Sequence, residues 1–358
     1  KTGYISVVEP PDFLSGWSYR KLHTIAGSPD GDLTDYQMKF VVHRTTGIDS
    51  GKDVYVGTNC NYDYSDLRFT TLDNTPRSYW IESYDADSAT VWVKAPSIPT
   101  SGTQIYLYYG NSGAESASNG DTTFLFFDDF NETALNSTKW TSFGSPSVAD
   151  SVATIQNPSS AGIYSNYAFD TGHSVLFRAE IDHNAVRNGL FAGFYTNSPA
   201  QERAAIVGGL FGHDYFESYL NYNGATTTSN FGNSFEGDYH TWEITRKTAA
   251  ASVVYAIDNT IIYTGSTNIP RNNDLVRFHT ASSANSVIYL EWVCVRKYID
   301  AEPAHGTWDI PEINTIPPIA EFAATEQTGN APFTIQFIDL SDRKSTRLNS
   351  SQVSQHRM

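Results

Sequence analysis

Between His213 and Trp242 the chain concentrates side chains of the kind that hold sugars. The rings of Tyr215, Phe216, Tyr219, Tyr222 and Trp242 stand beside the polar groups of His213, Asp214, Glu217, Asn221 and Asn223. Aromatic surfaces accept the C–H face of a sugar ring, while a few polar side chains fix its hydroxyls. His213, Asp214, Tyr215, Tyr219, Asn221, Tyr222 and Trp242 are therefore the candidate glycan-binding residues. The competing reading is that alternating aromatics on strands only fill a core. A second constellation is acidic. Asp128, Asp129, Asp300 and Asp309 are candidate ligands for a structural calcium ion, which takes about six to eight oxygens, often from separate loops. Asn61–Asp66 is another oxygen-rich loop, and against it stands an Asx turn that satisfies its own backbone.

Patterns for catalysis are weaker, and no catalytic residue is assigned. Glycoside hydrolysis needs two carboxylates about 5 to 9 Å apart. Asp214 and Glu217 are the nearest pair in an aromatic setting, but a spacing of three turns them to opposite faces of a strand. The chain has no Gly-x-Ser-x-Gly elbow and no His-Glu-x-x-His helix, the signatures of hydrolytic serine and zinc sites. Asn131-Glu-Thr and Asn136-Ser-Thr fit the N-glycosylation pattern.

The elements that must carry these residues are strands. A chain of 358 residues predicts two or three domains, each with its own core. Aromatic content of 14%, with 22 Tyr and 20 Phe against two Met and two Cys, fits extracellular β-proteins. Turn residues recur every ten or so positions and no amphipathic helix is evident, so the class is all-β. Gln37–His43, Ala89–Lys94 and Thr103–Tyr109 read as strands, with Val91 and Val93 on one face and Trp92 and Lys94 on the other. Val253–Asp258 and Ile261–Tyr263 around Asn259-Thr260 read as a hairpin. A net charge of −16 excludes nucleic acid and anionic lipid as natural partners, since both require basic patches. Cys60 and Cys294 fit no zinc spacing. Cys294 is expected to be a buried free thiol, with an interdomain disulfide as the alternative. No apolar run approaches the roughly 20 residues that cross a bilayer.

Several motifs carry resemblances. Trp17-Ser-Tyr-Arg-Lys21, Leu33-Thr-Asp-Tyr-Gln37, Asp66-Leu-Arg-Phe-Thr70 and the run from Trp80 to Asn111 resemble the prokaryotic domain of unknown function 2341 family. Over 15–120 this implies a β-sandwich of the kind found in large secreted or surface-anchored proteins, after an N-terminal segment 1–14. Thr123–Phe130 together with Tyr289–Tyr298 resembles a concanavalin A-like, laminin-G-type jelly roll, over 121–309. That resemblance implies that the opening Phe-Asp-Asp-Phe strand pairs near the closing Trp-Val-x-Val-Arg strand. It also implies glycan binding on the concave sheet and calcium near the joined termini. Beyond a Pro-rich linker at 310–317, Pro318–Ala324 and Ala331–Ser341 resemble the first strands of a polycystic-kidney-disease (PKD) type immunoglobulin-like domain. Asp342–Ser351 matches a translated short-read sequencing adapter, so 342–358 is set aside and the natural protein is expected to continue past Ser341.

The expectation is thus an all-β chain: a β-sandwich, a concanavalin A-like jelly roll, and an incomplete immunoglobulin-like β-sandwich. It is expected outside the cell or on its surface, without catalysis, binding carbohydrate or a cell-surface protein. Nucleic acid and membrane insertion are not expected, and calcium is the one cofactor considered. A structural stalk and a glycan-degrading enzyme are the alternatives.

Overall fold

The computed structural model describes residues 12–156, 160–182, 189–196, 202–208, 215–248, 251–280 and 286–314, and the strand backbones 322–324 and 337–339. The fold is all-β, as the turn spacing implies. The first sandwich uses β1 (Tyr19–Ile25), β2 (Tyr36–His43), β3 (Asp53–Tyr55), β4 (Arg68–Thr70), β5 (Pro76–Arg77), β6 (Tyr79–Tyr84), β7 (Ser88–Ala95) and β8 (Thr103–Tyr109). One sheet has the order β1-β8-β4-β5 and the other β3-β2-β7-β6. Strand alternation sets what each face buries. Val91 and Val93 pair with Phe40 and Met38 inside the sandwich, while Trp92 between them joins a different cluster.

The jelly roll follows. It begins with β9 (Phe126–Asp128), β10 (Trp140–Phe143), β11 (Ser147–Ala149), β12 (Val152–Gln156), β13 (Ala161–Phe169), β14 (His173–Asp182), β15 (Leu190–Tyr195) and β16 (Arg203–Gly208). It continues with β17 (Phe216–Tyr222), β18 (Ala225–Gly232), β19 (Tyr239–Arg246), β20 (Val253–Ile257), β21 (Thr260–Gly265), β22 (Asp274–Thr280) and β23 (Val287–Lys297). A seven-stranded sheet, β10-β13-β22-β15-β16-β17-β18, faces an eight-stranded one, β11-β12-β23-β14-β19-β20-β21, with β9 added on β23. The opening strand pairs with the closing one, Phe127 opposite Cys294 and Asp128 opposite Val293. The expected hairpin joins β20 to β21 through Asp258 and Asn259, both at positive φ, as a tight two-residue turn requires.

One strand lies elsewhere than the expected boundary at 309 implies. The strand β24 (His305–Trp308) leaves the jelly roll and pairs with β1 of the first sandwich, His23 opposite Trp308. There His305 and Trp308 pack on Phe40, and His23 lies 3.0 Å from His305 through ring nitrogens. The jelly roll is therefore inserted between β8 and β24. The reason is packing: the sandwich core has an aromatic edge at His23 and Phe40 that only a late segment covers.

The two modules meet on the outer face of the eight-stranded sheet. Leu176, Trp292 and Cys294 point away from the jelly-roll core and are buried against Trp80, Trp92, Phe124 and Phe127. The Trp80 ring meets Trp292 edge-to-face at 5.2 Å and Phe127 at 4.9 Å, the favoured aromatic geometry. Polar groups border this patch. Arg296 bonds Glu243 at 3.0 Å and Glu302 at 2.5 Å, and the Tyr36 hydroxyl donates to Glu302 at 2.6 Å. Burial works to raise the Glu243 carboxyl, but Arg296 and the Ser174 hydroxyl override it and hold it below its ordinary range.

Cys60 and Cys294 are both free and buried, which removes the disulfide alternative. Residues from Ile313 onward form a separate unit, in which Phe322–Ala324 and Phe337–Asp339 pair antiparallel. Most of the expected immunoglobulin-like segment, and all of 342–358, lie outside the described residues. Among the described residues no helix is long and apolar enough to cross a membrane.

Candidate functional site

The seven-stranded sheet has an outer face too. In β15, Leu190, Ala192 and Phe194 enter the core, so Phe191, Gly193 and Tyr195 turn outward. Register then sets three parallel rows across the sheet. The first reads Phe143, Gly162, His279, Phe191, Val207, Glu217 and Asn230. The second reads Thr141, Tyr164, Arg277, Gly193, Ala205, Tyr219 and Thr228. The third reads Leu275, Tyr195, Arg203, Asn221 and Thr226. Neighbours within a row stand about 4.8 Å apart, so aromatic, cationic and amide groups share one continuous surface.

Small residues shape it. Gly193 and Ala205 leave the middle of the second row low, and the Arg203 guanidinium lies over that region. It sits 4.5 Å from the Tyr195 ring centroid, 5.3 Å from Phe191 and 5.6 Å from Tyr219, within cation–π range. Arg277 lies 4.3 Å from Tyr195 and 5.0 Å from Phe143. Gly162 is required here, because a Cβ would come within 2.5 Å of both Phe143 and His279. The His279 ring stacks on Phe191 at 4.7 Å and 3°. Burial, reinforced by Arg277 and Arg203, pushes the His279 imidazole well below its ordinary pKa, so it is neutral. Among the described residues, the buried side-chain atoms of this face without a hydrogen-bond partner include His279 Nδ1 and Asn221 Oδ1, although the Asn221 amide N–H donates to Thr226 at 2.9 Å. Such atoms are uncommon in folded proteins and call for an explanation.

This face collects some of the expected residues and not others. Tyr219 and Asn221 lie on it. Tyr222, one residue further, turns the other way and carries Arg271 over its ring at 5.1 Å. Tyr215 lies just before β17, half-buried, and His213 and Asp214 fall outside the described residues. Trp242 is corrected: it is fully buried in the jelly-roll core beside Phe177 and Phe216, its indole N–H donating to the Ala179 carbonyl. Alternation in β19 turns Trp242 inward together with Ile244. Arg203, Arg277, His279, Phe191 and Tyr195 are members that sequence reading missed. Leu275-Val-Arg-Phe-His279 did hold a signal, since Arg277 and His279 alternate with the core residues Val276 and Phe278.

The four candidate calcium ligands are placed apart in role. Asp128 is buried and accepts from the Trp140 indole at 2.7 Å and the Phe130 amide at 2.9 Å; burial raises its pKa. Asp129 accepts from Asn131, and Asp300 engages Thr248 and Lys247. Asp309 lies by the first sandwich, its amide donating to the Leu22 carbonyl. Among the described residues no three His, Cys, Asp or Glu side chains come together as a metal site. In the Asn61–Asp66 loop, Asp63 makes an Asx turn to the Ser65 amide.

With this geometry in place, the chain can be set beside known proteins. Residues 63–143 match the family described as Domain of unknown function (DUF2341). The DUF2341 match starts in the loop before β4 and ends in β10, so it takes in the crossing from sandwich to jelly roll rather than the expected 15–120. Over 126 residues the chain is 25% identical to the uncharacterized protein MJ1472 of Methanocaldococcus jannaschii, covering 33% of this chain and only 22% of that protein. Among solved structures, a Bacillus licheniformis β-glucanase aligns at 16% identity over 48% of this chain and 97% of its own, with a TM-score of 0.39. An endo-acting O-glycanase of the human gut microbiota aligns at 12% identity over 49% and 99%, with a TM-score of 0.40. The carbohydrate recognition domain of Emp47p aligns at 10% identity over 48% and 93%, with a TM-score of 0.39.

Proposed function

We propose that the chain is part of a non-catalytic extracellular or cell-surface protein whose jelly roll binds a glycan on the outer face of the seven-stranded sheet. The observation that carries this is the pair of buried, unpartnered polar atoms, Asn221 Oδ1 and His279 Nδ1, set among Phe191, Tyr195 and Tyr219. Sugar hydroxyls, which both donate and accept, would satisfy the two, while Tyr195 and the planar Arg203 and Arg277 groups take ring faces and oxygens. The neutral state of His279 suits this role, because only a neutral imidazole has an accepting nitrogen. The C-terminal strands, read as the start of a PKD-type repeat, would serve as a spacer towards the rest of a longer protein.

A glycan array probed with the full chain tests the reading, with calcium present and again under chelator. Saturable binding that Asn221→Ala weakens at unchanged melting temperature supports it, and loss under chelator adds a calcium site. A blank array from folded protein moves the assignment to a structural stalk. Glu217 lies in the first row beside Val207, which keeps hydrolysis as the competing chemistry. Release of reducing ends that Glu217→Gln abolishes would favour it.

A further inference from the structure

The first sandwich presents exposed aromatic side chains at the loop end formed by Asn61–Ser65 and the β6–β7 turn. Tyr62 is 62% exposed and Tyr84 53% exposed. The two loops are joined by Arg44. Its guanidinium lies 5.3 Å from the Tyr62 ring and donates to the Cys60 and Ala86 carbonyls, while its amide donates to the Asp87 carbonyl. Tyr64, fully buried below, approaches the Tyr84 ring at 6.0 Å. Its hydroxyl is buried without a hydrogen-bond partner, and its backbone is held at φ 56°, a costly conformation for a bulky residue.

Both loops are fastened from beneath. The fully buried Asp66 carboxylate accepts from the Asn61 amide and the Cys60 thiol with one oxygen, and from the Gly110 and Asn111 amides with the other. Asp85 accepts from the amides of Asp87 and Ser88, at 2.8 Å each. Loops held this way display their side chains with little left to order on binding. A protein partner would need about 800 Å² with an apolar centre, and two rings among polar turns do not supply one. A sugar ring, which covers one or two aromatic faces, does fit. Asp63, Asp85 and Asp87 on the same loops disfavour an anionic ligand.

We propose that Tyr62, against Arg44, and Tyr84, against Tyr64, form a second glycan-contact site on the two loops that Arg44 ties together, specific for neutral sugars and independent of the jelly-roll face. The test is affinity electrophoresis of the full chain through gels containing a neutral β-glucan, mannan or galactan. Retardation on one of them is expected to fall at least about tenfold in Tyr62→Ala/Tyr84→Ala, with melting within about 2 °C of wild type. Tyr62→Phe, which keeps the ring, should bind within about twofold. Asn221→Ala marks the jelly-roll face: retardation that it abolishes, and that the double tyrosine variant keeps, belongs to that face and overturns the assignment. Full retardation of the double variant, no retardation on any neutral polysaccharide, or retention only on an anionic polysaccharide or a basic peptide matrix would each overturn the assignment.

Discussion

The two outer faces of the jelly roll are built by the same alternation and end in opposite states. On the eight-stranded sheet, Leu176, Trp292 and Cys294 meet the aromatics of the first sandwich, and the flanking charges Arg296, Glu243 and Glu302 bond one another. On the seven-stranded sheet, Phe191, Ala205, Val207 and Tyr219 form a buried cluster drawn from that sheet alone, with His279 Nδ1 and Asn221 Oδ1 unpartnered beside it. Aromatic content does not separate an interface from a binding face. Nor does polar satisfaction alone, since Arg296 Nε beside the junction is also buried without a partner; what differs is that the first face is covered by aromatics of another module, while the second carries a cluster of its own.

The largest expected effect lies on the closed face. Trp292→Ala should lower stability by about 3–5 kcal/mol, as large-to-small changes in a packed site do. Tyr195→Ala on the seven-stranded face should cost roughly 1 kcal/mol, and equal urea midpoints for the two variants would erase the contrast. The next effect concerns β24, the strand that closes the first sandwich after the junction. Burial first, and then the neighbouring His305, hold His23 down at about 3, and burial holds His305 at about 4. The unfolded chain titrates near 6.5, so between there and pH 4 it binds protons that the native state does not. Stability therefore falls as pH drops through that window, by up to about 1.4 kcal/mol per pH unit for each histidine. Urea midpoints measured from pH 7 to 4.5 should show the slope, and His23→Phe should reduce it.

Smaller in energy is the effect on binding. Asn221→Ala should weaken glycan binding by about tenfold, the worth of one good hydrogen bond to a buried group, and titration calorimetry beside a thermal melt reads both quantities. If binding is unchanged, the seven-stranded face is not the site. Smallest of all is the expected silence of Cys294. Buried under the junction and pushed well above its ordinary pKa by that burial, it should resist alkylation until the protein unfolds. Rapid labelling of the native protein, followed by mass spectrometry, would mean that the closed face opens.

Much of the fold was legible locally. Val91 and Val93 against Trp92, the hairpin of 253–263 (its turn at Asp258-Asn259, one residue before the expected Asn259-Thr260), and the strand limits around Thr103–Tyr109 all follow from period-two alternation and turn chemistry, which depend only on near neighbours. The candidate site was legible in part: Tyr219 and Asn221 were marked, while Trp242 was marked and proved to be core. Alternation divides a strand into two faces without saying which one meets the other sheet. That is decided by pairing. His279 reaches Phe191, and Arg203 reaches Tyr195, only because β22, β15 and β16 lie side by side, and β24 returns to β1 only because the first core has an edge to cover. The sequence by itself determined the class, the strands and their two-sided pattern. Only the tertiary structure decided which aromatics became core, which became junction and which gathered on the outer side of the seven-stranded sheet, because burial is settled by long-range contacts that no local spacing encodes.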